Sequence, residues 1–495
     1  MEKISYSALK KQGYKGYLLE NAPEKVLQFG EGGFLRAFVD YFFDLANERH
    51  GFNGKVAVVQ PIAQGLTDMV NAQEGLYTLY LRGFQDGRTV NDKRVISCVS
   101  RCINPYQDYA AFLACAKNPD LRYIVSNTTE AGIVYDAGSE FDQTPPVTFP
   151  AKLTRFLYER FLHFGKEQGK GMVILSCELI DNNGKELKRC VEKYIEQWNL
   201  GDAFKAWLDK ENLFCSSLVD RIVTGYPRNE AAKLNEENGY EDNLIDTGEV
   251  FGAWVIEGPE WLAKELPFVD GKLPVIVTPD HKPYKQRKVR ILNGAHTTMV
   301  LGAYLAGQDI VRNCMQDDVI KGYMNKAIYE EIIPTLDLPE QELKDFAAAV
   351  EERFANPFID HQLLSISLNS VSKWKARCLP SLKEYLARFG KVPACLALGL
   401  ASLIAFYRGD HMENGALMGK RPAGNAYAIQ DDAAVLAFFL DHKDDAADAL
   451  VHAVMTNESF WGENLTLLPG LEETVKADLA CILEKGAYEA MKSTL

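Results

Sequence analysis

Val26-Leu-Gln-Phe29-Gly30-Glu-Gly32-Gly33-Phe34-Leu35-Arg36-Ala37 passes from a short apolar strand through a glycine-rich turn into a helical segment that continues to Leu45. A strand that runs through a tight turn into a helix aims several backbone N–H groups at one point, where a pyrophosphate can be held. That order predicts a Rossmann-like α/β domain. The generic dinucleotide fingerprint is incomplete, because Leu35 stands where its third glycine would fall. An ordinary βα turn would carry the same residues. Arg36 reads equally as a contact to the pyrophosphate, a brace for the loop or a surface ion pair.

Outward from the turn, Val56-Ala-Val-Val59 is the next expected strand. Neither the acid that usually accepts from the ribose hydroxyls nor an arginine for a 2′-phosphate stands at its end, so these residues encode cofactor choice weakly. Leu76–Arg82 and Arg94–Val99 read as a hairpin inserted in the domain, followed by a helix over 105–117. The strand Leu121–Ser126 then runs into Asn127-Thr128-Thr129-Glu130. A polar run past the carboxyl end of a parallel strand either faces a ligand or caps a helix. Further strands are expected at Gly171–Cys177 and Val250–Glu257.

Beyond about residue 270–285 the pattern changes to helices, among them 290–306, 318–331, 339–354, 379–389, 392–407 and 471–487. The predicted fold is α/β, with a Rossmann-like N-terminal domain over 1–275 and a predominantly α-helical C-terminal domain over 276–495. The active site is expected where they meet, since junctions supply concavity.

The second domain opens with Tyr284-Lys-Gln-Arg-Lys288-Val-Arg-Ile-Leu-Asn293-Gly-Ala-His296. If the segment is helical throughout, Asn293 and His296 are i,i+3 neighbours and Lys288 lies about 80° around the axis from His296. A desolvated lysine can exchange a proton with a hydroxyl, and a carboxamide can stabilise an alkoxide. Interconversion of an alcohol and a carbonyl needs both. The alternative is a cationic helix start with Lys285, Arg287, Lys288 and Arg290 solvated, Asn293 as a cap and His296 as filler. Downstream, the cluster Lys373-Trp-Lys-Ala-Arg377 can present two or three cations; exposed helical charge is the competing account.

Composition narrows the class. With 495 residues, 47% hydrophobic content and a formal net charge of −14, the chain suits a metabolic enzyme and not a general nucleic-acid binder. No apolar run is long enough for a bilayer and Met1–Ala8 lacks a signal-peptide core, so a cytoplasmic location without membrane association is expected. The ten cysteines have no repeating spacing; Cys98 and Cys102 lack the partners of a zinc site. His281, His296 and His361 are far apart in sequence and no metal motif is present. A monomer or weak homo-oligomer is expected.

Lys288-x4-Asn293-x2-His296, together with Gly30-x-Gly32-Gly33-Phe34-x-Arg36-Ala37 and Val219-Asp220-Arg221-Ile222, resembles the mannitol dehydrogenase family of polyol and sugar-acid dehydrogenases, over about residues 18 to 488. The resemblance implies NAD held by Phe29, Gly30, Gly32, Gly33, Phe34, Arg36, Thr128, Thr129 and Glu130. It implies that Lys288 is the general acid/base, that Asn293 holds the alkoxide and that His296 positions substrate hydroxyls. Asp220, His361, Lys373 and Arg377 fall at substrate contacts, and no metal takes part. Leu179 occupies the place of a family asparagine that shares alkoxide binding. The surrounding Cys177-Glu-Leu-Ile-Asp-Asn-Asn-Gly184, with Pro150–Arg155, Leu218–Arg228, Lys326–Pro334 and Phe406–Gly409, resembles the branch that acts on hexuronates and their aldonic acids. A branch acting on an isomeric hexuronate is second and mannitol third. A cofactor-binding protein that has lost catalysis is the alternative of a different class.

Overall fold

The computed structural model describes residues 1–85, 87–129, 131–269 and 272–495. Its strands begin with β1 (Glu24–Phe29), β2 (Lys55–Val59), β3 (Tyr77–Gln85), β4 (Arg88–Ile96), β5 (Val99–Ile103) and β6 (Tyr123–Ser126). They continue through β7 (Val173–Ser176), β8 (Leu213–Cys215), β9 (Ser217–Asp220), β10 (Asp246–Glu249), β11 (Ala253–Glu257) and β12 (Val275–Thr278). Six of them form a sheet in the order β5-β2-β1-β6-β7-β8, with every neighbouring pair parallel. Counted in chain order within the sheet, this is 3-2-1-4-5-6, the doubly wound arrangement whose direction of winding reverses beside the first strand. The reversal lies between β1 and β6.

Side chains alternate across the sheet because successive Cβ atoms point to opposite faces. Val26, Val56, Val58, Val125 and Leu175 join one buried core with Phe38, Phe42 and Trp254. Leu27, Phe29, Ala57, Val59, Ile124 and Ile174 join the other with Phe112, Phe156, Leu187 and Trp207. Burial on both faces is what near-continuous apolar strands require. The hairpin expected at 76–99 is a larger device: β3 and β4 belong to a separate sheet ordered β10-β3-β4, and β5 returns to the main one. A third small sheet is ordered β12-β11-β9.

The single helix expected after the glycine turn is two, Gly33–Ala37 and Val39–His50, broken at Phe38 with φ −122° and ψ −71°. Phe38 packs against Phe34, Phe42 and Trp254 with ring centroids 5.1, 5.1 and 5.7 Å apart. Tertiary packing thus sets a break that local propensity does not announce.

The chain divides into two compact units, one of Met1–Arg82 with Val90–His281, the other of Gly83–Thr89 with Lys282–Leu495. The second is largely helical. Its Ala394–Phe406 helix is buried at every position from Cys395 onward, so it forms the centre of the bundle and shows no amphipathic stripe. Strands β13 (Gly409–Glu413), β14 (Ala416–Lys420) and β15 (Ala426–Ile429) form an antiparallel sheet within this unit, where the sequence suggested helices almost exclusively. Among the described residues no helix is long and apolar enough to cross a membrane.

Candidate functional site

In the N-terminal unit the glycine turn sits at the carboxyl end of β1, beside the reversal in strand order. Gly30 has φ +122°, and its N–H donates to Val59 O at 3.0 Å. A Cβ there would lie 3.0 Å from Leu35 Cδ1 and 3.2 Å from Asn127 O, so conformation and space both call for glycine. Leu35, standing in place of the third glycine, therefore packs beneath the first. Gly32 has ordinary φ, and a Cβ on it would meet nothing within 4 Å, so the room above the turn is open. A cavity of about 430 Å³ nearby is lined by Phe34, Asn127, Thr129, Ala131, Leu179 and Val219. Leu179 is 63% exposed, an unusual state for a leucine at a cavity wall.

The polar groups around the cavity are mostly tied to one another. Thr128 donates from both its N–H and its hydroxyl to Glu178 Oε1 at 3.1 Å, and Ser126 donates to Oε2 at 3.2 Å. Burial raises the Glu178 pKa while these hydrogen bonds oppose the rise. Asn183 donates to Glu178 O and Ser217 O and accepts from Ser217 N, which joins the turn after β7 to β9. Gly184 follows because a Cβ there would come within 2.3 Å of the Cys215 carbonyl carbon. Thr129, at φ +73°, faces the cavity, and Glu130 lies outside the described residues.

Of the roles the sequence leaves for Arg36, the contacts are those of a brace. It is buried, donates to Leu244 O at 2.7 Å and pairs with Asp246 at 3.5 Å. Phe29 is fully buried in the core under the turn. Asp220 is buried at the end of β9, opposite Ala253 of β11. The adjacent Arg221 donates to Ala37 O at 2.7 Å and Phe251 O at 2.9 Å, and burial lowers its pKa to about 10. Glu257, Asp280 and His281 also gather, with ligand-type atoms within 4.8 Å of one another. Both Glu257 oxygens are engaged there, one by Lys185 at 2.6 Å and the other by His281 Nδ1.

In the helical unit the segment that carries Lys288, Asn293 and His296 departs from a uniform α-helix. Lys282–Arg287 is α-helical, Lys288–Asn293 is a π-helix and Gly294–Leu305 is α-helical again. In α geometry positions five apart would be about 140° apart around the axis. The wider π turn, bonded i to i+5, brings Asn293 back toward the face of Lys288, and such turns occur often at functional sites. The neighbouring arginines are not a solvated cationic edge. Arg287 pairs with Glu342 at 2.6 Å, and Arg290 donates to Ser381 Oγ and to Thr335 Oγ1, with burial lowering its pKa to about 10. Lys288 is half-buried. The Asn293 carboxamide makes no hydrogen bond to any described residue and remains open to a ligand.

His296 is the centre of a charged cluster. Its ring stacks on Phe354 at 3.9 Å and meets His361 edge-on at 5.6 Å. Burial, and then the charges of His361, Arg353, Arg377 and Lys373, push its pKa well below the ordinary histidine value, so the imidazole is neutral. Its Nε2 is shielded and has no hydrogen-bond partner among the described residues. Burial also lowers the pKa of His361, Lys373 and Arg377, with Lys373 adding to the shift at His361 and Arg377 to that at Lys373. Lys373 donates to Ile366 O at 2.8 Å, and Arg377 to Thr297 Oγ1 at 3.3 Å. The structure thus brings together His296, His361, Lys373 and Arg377, and adds Arg353 and Phe354, which sequence reasoning missed. Nothing in Glu351-Glu-Arg-Phe354 distinguishes these two from any other helix end.

Comparison with known proteins bears on the whole chain. Residues 24–269 match the family described as mannitol dehydrogenase Rossmann domain, and residues 280–483 match mannitol dehydrogenase C-terminal domain. Altronate oxidoreductase of Escherichia coli O7:K1 is 49% identical over 477 residues, 95% of this chain and 96% of that protein, and the Shigella flexneri protein of the same name matches equally. Among solved structures, a substrate-free D-sorbitol dehydrogenase superposes with a TM-score of 0.80 at 21% identity, covering 99% of this chain and 100% of that one. Pseudomonas fluorescens mannitol 2-dehydrogenase, in a ternary complex with NAD and D-mannitol, gives 0.65 at 22% identity, covering 99% of each chain.

Proposed function

Because this chain belongs to the mannitol dehydrogenase family, we propose that it is an NAD-dependent altronate oxidoreductase, which reduces D-tagaturonate to D-altronate and catalyses the reverse oxidation. The family assignment and the relatives at 49% identity support the activity. The observation that carries the substrate class is the set of cations around a neutral His296. Arg353, Lys373 and Arg377 lie around it together with His361, whose pKa burial and Lys373 lower in turn; Arg377 raises the cost of the charge on Lys373, and a bound carboxylate offsets that cost.

The N-terminal unit fits a dinucleotide: the open room over Gly32, the constrained Gly30 and the apolar cavity wall of Phe34, Leu179 and Val219 suit a pyrophosphate and a flat ring. Bound NADH supplies the hydride for the ketone carbon. Gly30, Gly32, Gly33, Phe34 and Thr129 are the residues proposed to hold it, while Phe29, Arg36 and Thr128 support the turn from below. Lys288 donates the proton to the forming alkoxide and recovers it in the oxidative direction. The Asn293 amide donates to the same oxygen, and the neutral His296 fixes a neighbouring hydroxyl through Nε2. Asp220 orients the reacting groups. With Leu179 apolar, the alkoxide depends on Asn293 without a second carboxamide. A soluble cofactor and a soluble acid suit work in the cytoplasm.

Steady-state assays of the purified protein with NADH on D-tagaturonate, D-fructuronate and D-fructose test the proposal. The expected order of kcat/KM is tagaturonate first and the uncharged ketose last. A preference for fructuronate would move the enzyme to the isomeric hexuronate, and cofactor binding without turnover of any of the three would remove catalysis altogether.

A further inference from the structure

The Gly294–Leu305 helix has chemistry at its start, where His296 sits, and a second cavity at its end. That cavity, about 490 Å³, includes Leu305, Ala405, Met418, Ile482, Leu483 and Ala487 as an apolar floor, with Arg408, Lys420 and Lys443 among its polar groups. Leu305 is nine residues beyond His296, so the two ends lie about 14 Å apart along the helix axis. None of the cluster residues around His296 lines this cavity.

Its cations are set up differently from other surface charges of the protein. Lysines and arginines elsewhere on the helical unit are commonly paired, as Lys383 is with Glu463 and Arg388 with Asp337. Arg408 and Lys420 have neither an ion pair nor a side-chain hydrogen bond among the described residues, and Lys443 reaches only the backbone oxygen of Asp410 at 3.4 Å. Two acids, Asp410 and Asp444, share the lining with these three cations, and Asp410 is engaged by His411 Nδ1. The backbone of Arg408 is held between ordered elements: only Tyr407 separates it from the buried Ala394–Phe406 helix, and β13 begins at the next residue. Met418 and Lys420 come from β14, hydrogen-bonded to β13. Lys420 is thus held on a paired strand, Arg408 in the link between the core helix and β13, and Lys443 in the turn after the Ala433–Asp441 helix, with a floor of mostly buried apolar side chains and a half-exposed Leu483.

We propose that this cavity is a second ligand site, for a small organic phosphate whose ester group is apolar. A phosphate dianion suits a cavity that offers a planar guanidinium and two lysines, and the guanidinium fork can engage two of its oxygens. The apolar floor holds the ester group, and the volume admits a ligand of about ten to twenty heavy atoms. The ligand bears on the end of the helix that carries His296.

Phenyl phosphate joins both halves of this chemistry in one probe. Isothermal titration calorimetry of the full-length protein, with NADH saturating, is expected to show one saturable site, with phenol and inorganic phosphate each binding at least about tenfold more weakly. Arg408→Gln with Lys420→Gln should weaken phenyl phosphate at least about tenfold, the size of losing charge-assisted hydrogen bonds. Both side chains are exposed, so the variant keeps its fold, which circular dichroism checks; Arg408→Lys should retain part of the affinity. Leu483→Asn should weaken phenyl phosphate and leave inorganic phosphate unchanged. Absence of saturable binding at about 10 mM probe, or equal affinity in wild type and the double variant, would overturn the site.

Discussion

The glycine turn and the His296 pocket both gather charged groups, and they arrange them in opposite ways. Beneath the turn most charged groups meet a complement: Arg36 faces Asp246, Glu178 accepts from Thr128 and Ser126, and Arg221 donates to three backbone oxygens, with the buried Asp40 as the exception. Around His296 the cations Arg353, Lys373 and Arg377 are gathered and, with His361, act to keep the imidazole neutral, while Asp431 favours the charge of Lys373. The first arrangement stabilises a shape. The second disfavours the charges it gathers, which is what the proposed binding of a carboxylate there would offset. The proposed cofactor scaffold and the proposed acid site thus differ in their electrostatics.

The largest expected effect follows from placing proton transfer in the helical unit. Lys288→Ala should lower single-turnover hydride transfer by about 10²–10⁴-fold while NADH affinity is kept, the range for loss of a general acid/base. Unchanged rates and pH profiles would remove Lys288 from the chemistry. A comparable loss in His296→Ala, with the pH dependence abolished, would transfer the role to His296.

The contrast itself can be broken by removing one charge from each region. Lys373→Met or Arg377→Met should raise KM for the uronate by about 10–100-fold, as expected for a hydrogen-bonded charge, and leave an uncharged ketose little affected. The same variants should melt no lower than wild type, because a repulsion goes with the charge. Arg36→Met should do the reverse to stability, since it leaves the Asp246 carboxylate buried without its cation. Equal destabilisation on both sides, read by thermal unfolding, would mean that the His296 cations are structural after all.

These opposite arrangements also explain what the sequence could disclose. Strand, glycine turn and helix are consecutive, so the doubly wound sheet was legible from local order and apolar runs. The spacing of Lys288, Asn293 and His296 was legible for the same reason. The π turn between the first two was hidden, because a hydrogen-bond shift from i+4 to i+5 leaves the apolar periodicity nearly unchanged. Arg36 could not be assigned because its partner Asp246 is distant in sequence, and Arg353 carried no signal because only tertiary packing sets it beside His296. Strands β13 to β15 escaped for another reason: they are short, and β13 is exposed at all but its first residue, so no alternation marks it.

The smallest expected effect tests the scaffold side of the comparison. Asp40, in the Val39–His50 helix, lies under the turn: Gln28 Nε2 donates to Gly30 O at 3.1 Å and reaches Asp40 Oδ2 at 3.5 Å, and Tyr77 donates to the same oxygen at 3.1 Å. Burial raises its pKa from 3.8 to about 7, against the hydrogen bonds of Tyr77 and Gln28 and the charge of Arg36. Here the folded state holds the proton more tightly than the unfolded chain. The contribution to stability is therefore fully present below the unfolded value of 3.8 and is lost as pH rises through about 7. From about pH 6 to about pH 8 this group alone should remove about 1 kcal/mol. Asp40→Asn keeps the shape and cannot ionise, so urea unfolding at those two pH values should show a smaller fall in stability for the variant than for wild type. Identical falls would mean that the carboxyl is already ionised in the folded protein near pH 6, with Gln28 and Tyr77 stabilising the charge, and the turn would then rest on a fully satisfied acid.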